Sequence, residues 1–330
     1  MKYTDNEMCT ILLSSYIGIK NDAEIRPLSL GEWYKFVDVL IENKLEPSIA
    51  YSDEISVLKE FGYDSVFIER IKALAGRGAS VAFELEEYEK RGINVITFID
   101  KGYPIMFRRQ LKNKKPPVLF YSGDISLANM MGIGVVGSRD ITEEGMKFTE
   151  SLVEKAVDEK LVVYSGGAKG VDVTSQTAAL NRGGAVVTYI ADALSERIKK
   201  KYTAKDIAEG RLLLISDLKP DAGFSAGRAM NRNKYIYASA LGTFVVESDY
   251  NKGGTWTGAT EAIKNGWGKV FVWNKPAEGN KKLIEAGGSA YEITEDKLVD
   301  TISRKQGTPQ TVEYTQMSFM DIINQKNNVC

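Results

Sequence analysis

Between Leu30 and Tyr88 apolar residues return every third or fourth position, as Trp33, Phe36, Val37 and Leu40 and then Val66, Ile68, Ile71 and Leu74, with charges between them. That spacing predicts amphipathic helices. Beyond Arg91 the pattern changes to short runs rich in β-branched residues, "INVITFI", "VLFY", "GIGVVGS", "LVVYSGG", "AVVTYIA", "LLLIS", "TFVVES" and "VFVW", separated by longer helical patterns. Short apolar strands alternating with helices predict an α/β fold whose mainly parallel sheet carries helices on both faces. The expected organisation is a helical N-terminal domain over 1–90, a sheet domain over 91–300 and a polar C-terminal tail over 301–330. Within 100–117, Pro104, Pro116 and Pro117 predict loops around one helix. The tail has a single apolar cluster, Met317 to Ile323, that suits one docking helix.

Composition narrows the chemistry. The chain of 330 residues has no histidine, which excludes serine-histidine triads and every histidine-ligated metal site. Its two cysteines, Cys9 and Cys330, stand near opposite ends and support neither a disulfide framework nor a thiolate metal site. No cofactor or metal is expected. A net charge of −1 argues against a wholly basic nucleic-acid binder but leaves local patches open. No apolar run approaches the ~20 residues of a membrane span, so a cytoplasmic protein with no membrane partner is expected.

In a doubly wound sheet, ligands sit beyond the carboxyl ends of the strands. Three such ends combine glycine, hydroxyls and a cation: Gly137-Ser138-Arg139, then Ser165-Gly166-Gly167-Ala168-Lys169-Gly170, then the stretch "SDYNKGGTWT" with Gly253, Gly254 and Thr255. Glycine lets backbone amides approach an anion, and a helix start leaves N–H groups unpaired for it. One glycine pair alone reads as a tight turn. Three at one sheet edge favour a phosphate site. Gly132, Gly134 and Gly137 match a dinucleotide fingerprint only by lying within a strand, and no Walker motif is present.

The segment "GFSAGRAMNRNKYIYASA" adds Arg228, Arg232 and Lys234. Arg232, Asn233 and Lys234 read as a helix start suited to clamping phosphate, with Tyr235 available to stack on a base; a solvated helix face is the alternative. The run Arg197, Lys199, Lys200, Lys201 and Lys205 reads as a solvated helix.

In order, "GVVGSR", "SGGAKGVDVTSQTAAL", "RNKYIYASA", "VVES…GGTWTGATEA" and "GNKKLIEAGG" resemble the DNA-processing protein A family (DprA, also called Smf), over roughly Arg91 to Ile293. The resemblance implies an extended Rossmann-like domain that binds single-stranded DNA, forms a homodimer and hands DNA to the RecA recombinase during uptake of foreign DNA. It carries DNA contacts onto Arg139, Ser165 to Gly167, Lys169, Arg232, Asn233 and Lys234. Three features depart from the family: Gln176 stands where a histidine is usual, "KKKY" near Tyr202 replaces a proline-containing turn, and the tail after Thr301 is too short for a winged-helix domain.

Two other readings stay open. "RNK" followed by "GGTWTGATE" also resembles the lysine-decarboxylase-like phosphoribohydrolases, with Arg232 holding the phosphate of a nucleoside monophosphate and Glu261 stabilising the ribosyl cation. Glu261 lies one residue later than that pattern wants, a rotation of about 100° on a helix. A non-catalytic sensor of a nucleotide-derived signal is the third.

Overall fold

A computed structural model of the chain describes residues 2–19 and 24–304. The expected C-terminal docking cluster lies outside these residues. Among the described residues the chain divides into two compact units that interleave in sequence: one holds the residues up to Tyr103 together with Asn113–Phe120, the other Pro104–Lys112 and residues 121–304.

The first unit is mainly helical. Its helices Asp5–Ser14 and Leu30–Glu42 each open on a capping box, in which Thr4 and Ser29 accept the amide three residues on while Glu7 and Glu32 answer the cap amide. Trp33, Phe36, Val37 and Leu40 are buried, as the helical spacing requires. Arg77 reaches across to the carbonyls of Ile17, at 2.6 Å, and Leu12, which close the end of the first helix. Strand β1 (Asn94–Thr97) and the beginning of β2 (Val118–Ser122) complete this unit.

The second unit is built on β3 (Gly132–Val136), β4 (Val162–Ser165), β5 (Val186–Tyr189), β6 (Leu212–Ser216), β7 (Gly242–Val245), β8 (Lys269–Trp273) and β9 (Ser289–Tyr291), in the order β6-β5-β4-β3-β7-β8-β9. Every one of these neighbouring pairs is parallel. A helix intervenes between each strand and the next in sequence, and nearly every residue of β3 to β7 is buried. This is the mainly parallel α/β architecture that the alternation predicts. From β3 the chain winds outward through β4, β5 and β6, then returns to pair β7 against β3 and winds the other way. The β3–β7 junction is therefore the topological switch point, where the outgoing loops diverge and leave a crevice. Among the described residues no helix is long and apolar enough to cross a membrane.

Candidate nucleic-acid interface

The crevice at the switch point is a cavity of about 400 Å³. Its wall comes from the end of β3 (Val136 to Asp140), the loop after β7 (Glu247 to Asp249 and Lys252 to Thr255), Ala168 and Asp172 beyond β4, and the helix Ala226–Ser239, which contributes Met230, Arg232, Asn233 and Tyr237. Two bonds tie these pieces together: Thr255 Oγ1 donates to the Gly137 carbonyl at 2.8 Å, and Asn233 Nδ2 donates to the Gly254 carbonyl at 3.0 Å. Asn280, fully buried, fixes the β7 end by accepting the Ser248 amide at 3.0 Å and donating to Val246 O and Trp273 O.

Of the residues singled out from sequence, Gly137, Ser138, Arg139, Arg232, Asn233, Gly253, Gly254 and Thr255 line this cavity. Ser165, Gly166 and Gly167 are buried beneath it rather than in its wall. Lys169 stands outside the wall, its side chain 81% exposed and 3.3 Å from Asp140. Glu261 is not in the wall either, so the carboxylate that phosphoribohydrolase chemistry needs does not meet Arg232 here.

Several expectations change. Ser225 caps the helix Ala226–Ser239, so Arg232, Asn233 and Lys234 lie in its interior instead of at its start, and only their side chains can act. Lys234 is buried and donates to Asn231 Oδ1 at 2.7 Å, outside the cavity wall. Tyr235 is not available for stacking: its ring packs on Phe107 and Tyr189, with centroids 5.0 and 5.9 Å away, and its hydroxyl donates to Asp217 at 2.6 Å. The helix turns that residue toward the sheet. Arg197 leaves the solvated run to which its neighbours belong, pairing with Asp192 at 2.8 Å and donating to the Gly167 carbonyl at 3.2 Å.

The largest departure concerns the glycine loop after β4. Its amides do not wait open for a ligand, because Asp172 Oδ2 accepts from Gly166 N at 3.2 Å and Ala168 N at 3.3 Å. The chain supplies its own anion to that loop. Burial raises the Asp172 carboxyl above the usual range, opposed by the charge of Arg232 and by the two amides. Arg232 is only 5% exposed and donates to the Tyr189 carbonyl at 2.6 Å, while burial lowers its own pKa against the pull of Asp172. Arg232 Nε and the Tyr237 hydroxyl, both buried atoms of residues in the wall, have no hydrogen-bond partner among the described residues. Buried polar groups are seldom left so. Glu247 is already engaged: burial alone would raise its carboxyl, but bonds from Lys275 at 2.8 Å and from Thr142 hold it below the usual range.

The remaining donors belong to the third loop. The helix Gly253–Asn265 begins on Lys252 with no side-chain cap, and Gly253, with φ of 75°, turns the chain so that the first turn joins the wall. Uncapped N–H groups at a helix start, beside the exposed Arg139 and Lys252, make an anion-binding corner. Sequence reasoning missed Asp172, although it follows the glycine loop within "AKGVDVT", and left Lys252, the cation of the third strand end, unnamed among the contacts.

The sequence model of the DNA recombination-mediator protein A family matches residues 94–302. The chain is 28% identical over 239 residues to the DNA processing protein DprA of Bacillus subtilis, covering 70% of this chain and 77% of that one. It is 29% identical over 191 residues to the DprA of Streptococcus pneumoniae, covering 56% and 67%. The X-ray structure of DNA processing protein A from Streptococcus pneumoniae superposes with a TM-score of 0.65 at 21% identity, over 88% of this chain and 95% of that one. The structural likeness establishes a shared fold.

Proposed function

The chain belongs to the DNA recombination-mediator protein A family, and we propose that it binds single-stranded DNA across the β3–β7 switch point, through phosphate contacts more than through base identity. The observation that carries this reading is the convergence on one cavity of Arg139, Lys252 and the uncapped start of the helix Gly253–Asn265, above the buried cation of Arg232. These groups bind anions and see the backbone of a strand, which is the same for every sequence. Lys169, exposed at the neighbouring strand end, extends the path. Arg232 acts from below, packed against Gly166 of the glycine loop that Asp172 bonds, with its own Nε buried and lacking an acceptor among the described residues.

The family resemblance extends the proposal to a homodimer that presents the strand to RecA as a recombination mediator. Fluorescence anisotropy with an oligodeoxynucleotide of fixed length, at several salt concentrations and beside the same sequence as a duplex, tests the core of the reading. Tighter binding of the single strand, weakening as salt rises, is expected; undetectable binding at low salt would overturn it.

A further inference from the structure

Resting on the single-strand reading, we propose that aromatic side chains at the rim of the cavity, Phe224 on one side and Tyr250, braced by Trp256, on the other, are stacking platforms for bases of the bound strand. Phe224 is 58% exposed in the loop leading to the helix Ala226–Ser239, so its ring is open to a partner. It does not stand alone. The guanidinium of Arg139, itself in the cavity wall, lies over the Phe224 ring at 6.0 Å from its centroid, the outer reach of a cation–π contact. A cation suited to phosphate and an exposed aromatic ring are thus held within 6.0 Å of each other.

On the β7 side Tyr250 is 45% exposed, and its ring meets Trp256 edge-on, with centroids 5.0 Å apart and planes at 87°. Both belong to the loop and helix start that supply Lys252, Gly253 and Gly254 to the wall. The edge contact supports the pair from one direction and leaves ring surface exposed. These residues fill the role that the buried Tyr235 cannot. A protein that reads phosphates alone is indifferent to whether bases are present, whereas one with stacking platforms gains affinity from any base, because every base has a π-face.

The test compares oligo(dT) with an abasic deoxyribose-phosphate strand of equal length, using the full chain. Wild type should bind oligo(dT) more tightly, by about fivefold or more for each base stacked. Phe224→Leu, apolar but without a π-face, should lose much of that preference while keeping its affinity for the abasic strand. Phe224→Trp should retain it. The double variant Phe224→Leu/Tyr250→Leu should bind the two strands nearly alike. Equal binding of both strands by wild type, or a preference that survives in the double variant, would overturn the stacking proposal and leave the phosphate reading standing. Failure of wild type to bind either strand would overturn the single-strand reading, and the stacking proposal with it.

Discussion

Arg232 occupies the space that a side chain at Gly166 would need, for a β-carbon built there would overlap the guanidinium at Nη1. The glycine is required by close approach, and its φ is not in the left-handed region. Arg232 cannot simply swing aside, since it is held by the Tyr189 carbonyl and is itself buried. Gly166→Ala should therefore destabilise the protein by about 1–3 kcal/mol, as overpacking does. Gly227, in the exposed first turns of the same helix that carries Arg232, has nothing within reach of a β-carbon. Gly227→Ala should be neutral or stabilising by up to about 1 kcal/mol. Urea denaturation of the two variants checks the contrast.

The electrostatic attraction between Arg232 and Asp172, two buried charges with no direct bond between them, makes a second prediction. Removing one of two opposite buried charges leaves the other less compensated, at a cost of up to about 3–5 kcal/mol where the two are in contact, whereas removing both can cost much less. Arg232→Met should be strongly destabilising at neutral pH, and Asp172→Asn in that background should restore part of the loss. A double-mutant cycle should return a coupling of about 0.5–3 kcal/mol; strict additivity would show that the two charges do not sense each other. Without Arg232 the Asp172 carboxyl rises further above its unfolded value. The folded state then binds the proton more tightly, and the deficit of Arg232→Met should shrink as pH falls.

Much of the fold was legible because its signals are local. Alternating β-branched runs and helical spacing identify strands β1 to β8, each at its quoted segment. Strand β9, only Ser289–Tyr291, is too short to show a pattern. The candidate site was legible in part for the same reason: glycine, hydroxyl and cation at three strand ends are adjacent in sequence. What could not be read was which of those amides the protein would use itself. Asp172 caps the β4 loop through a turn that no periodicity marks, and Tyr235 differs from Asn233 by its place around a helix that starts at Ala226, ahead of "RNK". Burial decides function here.

In the helical unit, Glu32 offers a pH-dependent test independent of DNA. Arg70 bonds its carboxylate at 2.8 Å and the Ser29 amide at 2.7 Å, and these hold its pKa down to about 2. A depressed carboxylate contributes stability that is fully present above its unfolded value, ~4.3, and is lost as pH falls toward the folded value. The side chain is substantially exposed, so solvent screens the pair and the contribution is modest. Wild type should be more stable than Glu32→Gln near pH 6, with the gap closing between about pH 4.5 and 2. A gap that stays constant down to pH 2 would show that the contact with Arg70 does not depend on charge.

The salt dependence of binding separates the exposed cations from the buried ones. An exposed arginine or lysine that neutralises a phosphate releases a counterion, which steepens log affinity against log salt by about 0.7 per contact on a single strand. Arg139, Lys169 and Lys252 are exposed at the strand ends, which gives a slope of about −2 for one protomer and up to twice that if two protomers share a strand. Arg139→Ala and Lys252→Ala should each weaken all sequences alike and flatten the slope by about one contact. Lys200 is exposed outside the cavity wall, next in sequence to the Lys199–Glu196 ion pair, and Lys200→Ala should change little. Lys234→Ala should leave the slope unchanged, because its ammonium is buried against Asn231 and outside the cavity wall. Arg232 is the informative case. Its charge is already answered by Asp172, so Arg232→Met, measured under conditions where it remains folded, should lower affinity by disordering the glycine loop while leaving the slope within about half a contact of wild type. A slope flattened by a full contact would mean that Arg232 meets a phosphate directly, and would move the strand deeper into the cavity.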